Sequence, residues 1–271
     1  MSVKLKSIAV IGALLGTLAL AGCGQEQKDP NQIKVGVITG PELKVAEAAK
    51  QVAKEKYGLN VELISFNDYV LPNESLDKGD IDVNIFQHKP YLDQQIKERH
   101  FKLAIVGNAF IYPMAAYSKK IKSLDELKDG AQISIPNDPT NLGRALLLLQ
   151  KQGLITLKEG VGLTPTKLDI TSNPKHLKIV ELEAPLLPRS LDDQNIAFAI
   201  INTTYAGQIG LTPQKDGIFV EGKDSPYVNI IVSREDNKNA ENVQKFVKAY
   251  HSPEVEKEAH EVFKGGEVKG W

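Results

Sequence analysis

Short apolar runs rich in β-branched residues alternate along the chain with stretches of helical periodicity. The run 33–38 predicts a strand, and apolar positions at helical spacing over 45–53 predict a helix that ends at Gly58. Further strands and helices follow in the same order as far as residue 110, and the alternation starts again after position 112. Strands that alternate with helices predict an α/β fold built on sheets with right-handed crossovers.

Two successive α/β units of similar size, followed by two terminal helices, predict two lobes. We assign 33–111 to lobe 1, 112–227 to lobe 2, and 228–271 to a return segment that packs back on lobe 1. The chain would then cross between the lobes twice.

Several helix ends are marked by polar residues and glycine. Ser123 and Glu126 have the spacing of a capping box for a short helix. Asp138 or Thr140 is expected to cap the helix that follows the strand near residue 135, and Gly153 is expected to end it.

The first 22 residues have the three zones of a signal peptide. Lys4 and Lys6 precede an apolar stretch over 8–20, and small residues lead to Cys23, the single cysteine of the chain. The Leu-Ala-Gly-Cys order resembles a bacterial lipobox, which implies that Cys23 becomes N-palmitoylated and carries an S-diacylglycerol. Residues 23–32 are then a lipidated tether, and the protein is exported and anchored to a bacterial membrane, with the cell membrane facing the periplasm favoured.

Charge and motif content narrow the function classes. Without residues 1–22 the chain has 31 basic and 34 acidic side chains, a net charge of −3, which argues against a nucleic-acid partner. The five histidines do not pair at metal-ligand spacing, and the sequence has no nucleophile elbow and no phosphate-binding loop. We therefore expect a protein that is not an enzyme and that uses no metal or cofactor.

Arg144 is the cation best placed for ligand binding. It follows Asn141 in a segment that passes from a strand end into a helix N-terminus, where free backbone N–H groups favour an anion. A guanidinium matches a carboxylate bidentately. Taken alone, this segment is better explained by a surface position for Arg144 and an ordinary capping role for Asn141.

Aromatic residues follow two other predicted strands. Phe86, His88 and Tyr91 lie where a strand gives way to a helix, and Tyr69 follows the strand before. Ligands of α/β sheets bind at such strand ends, and these rings are suited to an apolar pocket with a polar edge. The alternatives are core packing for Phe86 and Tyr91, a loop histidine with satisfied hydrogen bonds for His88, and loop packing for Tyr69.

Two asparagines occur at predicted strands near the end of the chain. Asn202 ends a buried run and Asn229 interrupts another. A buried amide needs hydrogen-bond partners, so each is a structural amide, a cap, or part of a site for a polar ligand.

Long segments of the chain resemble the NlpA lipoprotein family. The segments that carry the resemblance include IKVGVI, NDYVLPNE, FQHKPYLDQQ, IPNDPTNLGRALLLLQ, INTTYAGQIGLTP and SPYVNIIVSREDNKNAENV. The resemblance implies a two-lobed periplasmic-binding-protein fold with a ligand cleft between the lobes. It also implies a substrate-binding protein that captures D- or L-methionine by hinge closure and delivers it to the permease and ATPase subunits of an ABC importer.

The resemblance assigns roles to the candidate residues. Arg144 would bind the ligand carboxylate with Asn202 nearby, and Asn229 would contact the backbone groups of the amino acid. Asn141 would add a polar contact. The thioether pocket would be lined by Tyr69, Phe86, His88 and Tyr91.

Three alternatives are compatible with the sequence. The ligand is another amino acid or a methionine-containing dipeptide, because one methylene in an apolar pocket is worth only about 1–3 kcal/mol. Alternatively, the chain is a structural lipoprotein with a vestigial site, or an enzyme that converts its bound ligand.

Overall fold

The computed structural model describes residues 29–271. The predicted signal peptide and the predicted lipidation site at Cys23 lie outside this range. Within it, no helix is both long and apolar enough to cross a membrane. The strands are β1 Gln32–Ile38, β2 Asn60–Phe66, β3 Val83–His88, β4 Leu103–Ile111, β5 Ala115–Tyr117, β6 Gln132–Pro136, β7 Thr156–Leu157, β8 Ile170–Ser172, β9 Lys178–Leu182, β10 Ile196–Ile201, β11 Gly217–Val220, β12 Val228–Arg234 and β13 Val268–Lys269. The α-helices are α1 Pro41–Tyr57, α2 Leu71–Lys78, α3 Lys89–Arg99, α4 Pro139–Lys151, α5 Leu187–Ser190, α6 Thr203–Gln208, α7 Pro213–Asp216, α8 Glu241–Tyr250 and α9 Pro253–Phe263.

The first sheet, which is the sheet of lobe 1, combines strands from both ends of the chain. Its order is β13-β4-β12-β3-β1-β2, with β1 parallel to β2 and β3, and β12 antiparallel to β3 and β4. Helices α8 and α9 pack on α1, and together they cover an apolar core that includes Val45, Phe246 and Phe263. The C-terminal segment therefore completes a unit that the N-terminal segment begins.

The second sheet, which is the sheet of lobe 2, is formed entirely by the middle of the chain. Its order is β11-β5-β10-β6-β9, with β6 parallel to β9 and β10, and β5 antiparallel to β10 and β11. Helix α4 presents a leucine-rich face to this sheet, and Leu146 and Leu149 are fully buried there with Ile133 and Phe198. Strands β7 and β8 pair separately as a small hairpin.

Two segments of chain connect the sheets. Residues 112–114 lead from β4 to β5, and residues 221–227 lead from β11 back to β12. The predicted α/β fold with two lobes and two crossovers is confirmed.

Most predicted helix ends agree with the structure, with one exception. Asp138 caps α4 by accepting a hydrogen bond from the backbone N–H of Asn141 at 2.9 Å. The capping box predicted for Ser123 and Glu126 is wrong. Ser123 makes no capping hydrogen bond to the single 3₁₀ turn after it, and Glu126 instead accepts from the backbone N–H of Lys122 at 3.1 Å. The Glu126 carboxylate is thus bound one residue before the position that a capping box requires.

Candidate functional site

In lobe 1, strand direction brings the predicted site residues to one edge of the sheet. His88 ends β3, and Asn229 lies at the start of the antiparallel β12, so the two residues are paired in register. The Asn229 side-chain amide donates to the carbonyl oxygen of Phe86 at 3.2 Å. The loop after β2, which is at the same edge, carries Tyr69.

In lobe 2, parallel pairing has the same effect. Strands β6 and β10 run in the same direction, so the N-termini of α4 and α6 lie at one edge. Asn141 and Arg144 are in the first turns of α4, and Asn202 immediately precedes α6. The two edges face each other across a narrow gap with an enclosed volume of only about 20 Å³, so the lobes nearly touch there. The gap is lined by all eight predicted residues: Tyr69, Phe86, His88, Tyr91, Asn141, Arg144, Asn202 and Asn229.

One end of the gap is aromatic. The ring centroid of Phe86 lies 5.8 Å from that of Tyr69 and 6.0 Å from that of Tyr91. The Tyr91 hydroxyl donates to the backbone oxygen of Tyr69 at 2.8 Å, which fixes the Tyr91 ring. Tyr205 of lobe 2 adds a fourth ring, 5.0 Å from Tyr69. These rings form an apolar surface of the kind that holds an aliphatic or thioether side chain.

His88 lies between this aromatic end and the polar end. Its Nδ1 accepts from the backbone N–H of Tyr91 at 3.1 Å, so the proton resides on Nε2, which donates to Asn141 Oδ1 at 3.3 Å. Burial, reinforced by the positive charge of Arg144, lowers the pKa of His88 to about 3. The imidazole is therefore neutral and serves as a hydrogen-bond donor between the lobes.

A chain of side-chain hydrogen bonds orients the amides of lobe 2. The Asn141 amide donates to both carboxyl oxygens of Asp138, at 2.9 and 3.1 Å, so its Oδ1 must face His88 and Asn202. Asn202 donates to that oxygen at 2.9 Å. Burial raises the pKa of Asp138, while the hydrogen bonds from Asn141 and Thr140 oppose the rise. Asn202 Oδ1 is buried and has no hydrogen-bond partner among residues 29–271, which leaves an acceptor for a ligand.

Arg144 forms the polar end of the gap, although its surroundings differ from those expected. It is only 4% exposed, and its guanidinium stacks on the Tyr227 ring with Cζ 4.5 Å from the ring centroid. The bidentate partner of the guanidinium is a protein carboxylate: Nε donates to Glu221 Oε1 at 2.9 Å and Nη2 donates to Glu221 Oε2. Nη2 also donates to the Tyr112 carbonyl oxygen at 3.0 Å. Nη1 has no partner within the described part of the chain and is the donor left for a ligand.

The lobes are in contact on one side of the gap as well as across it. Glu42, in the first turn of α1, accepts from the Thr204 hydroxyl at 2.8 Å. Gly207 lies so close to Pro41 that a Cβ at that position would be 2.3 Å from the proline ring. The structure therefore represents the lobes closed upon each other.

The titratable side chains of the site do not form a metal centre. Across residues 29–271, no group of three or more His, Cys, Asp or Glu side chains is arranged to hold a metal ion. The polar groups of the gap are neutral amides, one neutral imidazole and one paired guanidinium. These groups are suited to a zwitterionic organic ligand rather than to a metal cation.

A family model for NlpA lipoproteins matches residues 33–271. The chain belongs to the NlpA lipoprotein family. The resemblance inferred from the sequence segments is thereby confirmed.

Individual NlpA relatives are similar over the whole chain. The D-methionine-binding lipoprotein MetQ of Salmonella typhimurium is 74% identical over 271 residues, with all of both chains covered. A crystal structure of the methionine-binding protein MetQ superposes with a TM-score of 0.89 at 74% identity, covering 90% of this chain and 99% of that one. A nutrient-binding protein from Burkholderia cenocepacia, solved bound to methionine, has a TM-score of 0.85 at 51% identity, covering 88% of this chain and all of that one.

Sequence reasoning missed some residues of the site in this NlpA chain. Thr203 and Thr204 directly follow Asn202, and their position at a helix N-terminus was a signal that could have found them. Glu221 and Tyr227 contact Arg144 from the second crossover, 77 or more residues away, and no spacing in the sequence connects either of them with Arg144. The gap is also lined by Gln87 and Tyr112.

Proposed function

We propose that this chain is a substrate-binding lipoprotein that captures methionine in the gap between its lobes. The observation that carries the proposal is the two-ended gap, in which a cluster of rings faces an arginine across a neutral histidine. Free methionine has the matching distribution of groups, with an apolar thioether at one end and a zwitterion at the other. Membership of a family whose relatives bear methionine-binding names supports the same ligand.

The polar groups of the gap suggest how the zwitterion is held. Arg144 Nη1 is the donor for the ligand carboxylate, and Asn202 Oδ1 is the unpartnered acceptor for its ammonium. Asn229, whose Nδ2 is bound to Phe86, presents its Oδ1 as a second acceptor. In this arrangement Asn141 contributes by aiming Asn202 and His88.

The rings of Tyr69, Phe86 and Tyr91, with His88 beside them, hold the thioether. Sulfur against aromatic edges contributes about 0.3–1.5 kcal/mol, which is enough to favour methionine over an aliphatic chain of the same length. Another amino acid is the alternative ligand, and contact of its side chain with the pocket rings determines which of the two binds more tightly.

Capture proceeds by hinge closure between two lobes, which are formed by three segments of the chain. Residues 33–111 and 228–271 form lobe 1, residues 112–227 form lobe 2, and a ligand that contacts both lobes stabilises the closed form by its higher affinity for it. The closed form then docks on the permease of an ABC importer, whose ATPase subunits supply the energy. The chain converts nothing and is not an enzyme.

Export and anchoring complete the proposal. Residues 1–22 direct secretion, Cys23 carries the lipid, and residues 23–32 tether the binding unit to the membrane. Replacement of Cys23 by Ala is expected to release the protein into the soluble fraction, as measured by fractionation and immunoblotting. Continued sedimentation of that variant with membranes would contradict the lipid anchor.

The ligand assignment is tested by calorimetric competition on the purified chain. L-methionine, D-methionine, norleucine and methioninamide separate the contributions of sulfur, stereochemistry and carboxylate. We expect either methionine isomer to bind more tightly than norleucine, and methioninamide to bind much more weakly. Preference for norleucine would overturn the methionine assignment, and absence of all binding would indicate a vestigial site. Recovery of intact methionine after long incubation is expected, whereas a new product would indicate an enzyme.

A further inference from the structure

Glu221 is a largely buried carboxylate that contacts Arg144 at the polar end of the gap. Its side chain is 12% exposed, and it lies at the start of the second crossover. We infer that Glu221 is a specificity-determining residue: it offsets the charge of Arg144, so that the gap selects a net-neutral zwitterion over an anion of the same shape. This inference rests on the proposed function and adds to it a reason for zwitterion selectivity.

The geometry makes Glu221 a fixed part of the arginine's surroundings. Its two oxygens accept from Nε and Nη2 of Arg144, and Oε2 also accepts from the backbone N–H of Met114 at 3.2 Å. The backbone N–H of Glu221 donates in turn to the Met114 carbonyl oxygen at 2.9 Å. Glu221 thus binds the arginine and both crossovers at once, and this pairing uses Nε and Nη2 of the guanidinium but not Nη1.

The charge balance follows from these contacts. An unpaired guanidinium in a buried gap would attract any carboxylate strongly, whether or not the ligand also carried an ammonium. With Glu221 beside it the pair is neutral as a whole, and His88 nearby is neutral as well. A ligand that brings its own ammonium enters without leaving a net charge in the gap, whereas a monoanion leaves one uncompensated, which is costly in a buried site.

The chain around Glu221 also explains why a ligand does not replace it. The salt bridge is bidentate and is supported from three directions, by Met114, the Tyr112 carbonyl and the Tyr227 ring. The ligand carboxylate therefore adds to the Arg144–Glu221 pair at Nη1 rather than competing for the Nε edge.

The test compares methionine with its hydroxy acid analogue, in which a hydroxyl replaces the ammonium and the net charge becomes −1. Affinities are measured by titration calorimetry on the full-length chain in detergent, for wild type and for Glu221→Gln. We expect the wild-type chain to prefer methionine by at least about tenfold, and Glu221→Gln to shift the ratio of the two affinities towards the hydroxy acid by about tenfold, equivalent to about 1.4 kcal/mol.

Two control variants separate charge from structure. Glu221→Asp keeps the charge while shortening the reach to Arg144, so methionine binding weakens but the ratio stays at the wild-type value. Glu62→Gln removes an exposed carboxylate of β2 and is expected to change neither quantity. If Glu221→Gln weakens the binding of both ligands equally, Glu221 is merely structural and the inference is overturned.

If Glu221→Gln does not fold, the wild-type chain alone still tests the inference. Equal affinity of the wild-type chain for methionine and the hydroxy acid would overturn the charge argument. Failure of the proposed function has a different signature, because the wild-type chain would then bind neither ligand.

Discussion

The two ends of the gap are built in different ways. The aromatic end consists mainly of residues of lobe 1 that are close in sequence, with Phe86 and Tyr91 only five positions apart. The polar end depends on partners far along the chain, since Arg144 is bound by Tyr112 and by Glu221. An apolar surface needs only shape and burial, whereas a buried charge needs a specific partner for each of its donors. The polar end should therefore be the more sensitive to substitution.

The largest effect is expected from Arg144→Lys. Lysine keeps the charge beside Glu221 but loses the planar fork, so it cannot hold the pair and still present a donor to the ligand. We expect methionine affinity to fall about 100-fold, equivalent to about 2.8 kcal/mol. Calorimetry measures the affinity, and thermal unfolding shows whether the variant stays folded. Binding within about threefold of wild type would mean that the polar end is not where the carboxylate resides.

A smaller effect is expected from Phe86→Leu at the aromatic end. Leucine fills most of the space but removes the ring from contact with the thioether, which is worth about 0.3–1.5 kcal/mol. Methionine affinity should fall by about two- to tenfold, and norleucine affinity should fall less, so that discrimination between the two narrows. If norleucine loses as much affinity as methionine, then the ring acts by packing alone and the sulfur contact is absent.

The smallest effect on methionine affinity is expected from Glu42→Gln, because Glu42 lies outside both ends of the gap. Burial raises the pKa of Glu42 from 4.5 to about 8, and the hydrogen bond from Thr204 opposes the rise. Because the folded state holds this proton more tightly than the unfolded state, the folded protein loses stability as pH rises from 4.5 towards 8. Burial raises the pKa values of the neighbouring Tyr69 and Tyr205, and the Glu42 carboxylate adds to that rise.

Thermal unfolding at pH 5 and pH 8 measures this contribution. The wild-type midpoint should drop between the two pH values by about 10 °C more than that of Glu42→Gln, whose amide has the same shape but no titrating proton. Equal drops in the two proteins would show that Glu42 titrates normally.

The sequence predicted the fold well because periodicity is a local property. The alternating strands and helices of lobe 1, and the buried face of α4, followed directly from the positions of apolar residues. The sequence did not predict β5, β11 and β13. These strands have only two to four residues, which is too few to show a hydrophobic period. The capping box at Ser123 was wrong for a different reason: the residue spacing is right, but the Glu126 carboxylate is bound by the backbone N–H of Lys122.

The sequence suggested which residues line the gap, but not which of them contact one another. Tyr69, Phe86, His88 and Tyr91 were suggested by strand ends and by the family resemblance, and they lie together. The pairing of Arg144 with Glu221 was not, because neither a spacing nor a motif connects them. Partners that meet through tertiary structure leave no local signal.

A crystal structure of the chain with bound L-methionine tests the central claim most directly. We predict the ligand carboxylate at about 3 Å from Arg144 Nη1, with Glu221 still paired to the same guanidinium, and the sulfur against the rings of Tyr69, Phe86 and Tyr91. Methionine bound with its thioether towards Arg144, or outside this gap altogether, would contradict that claim.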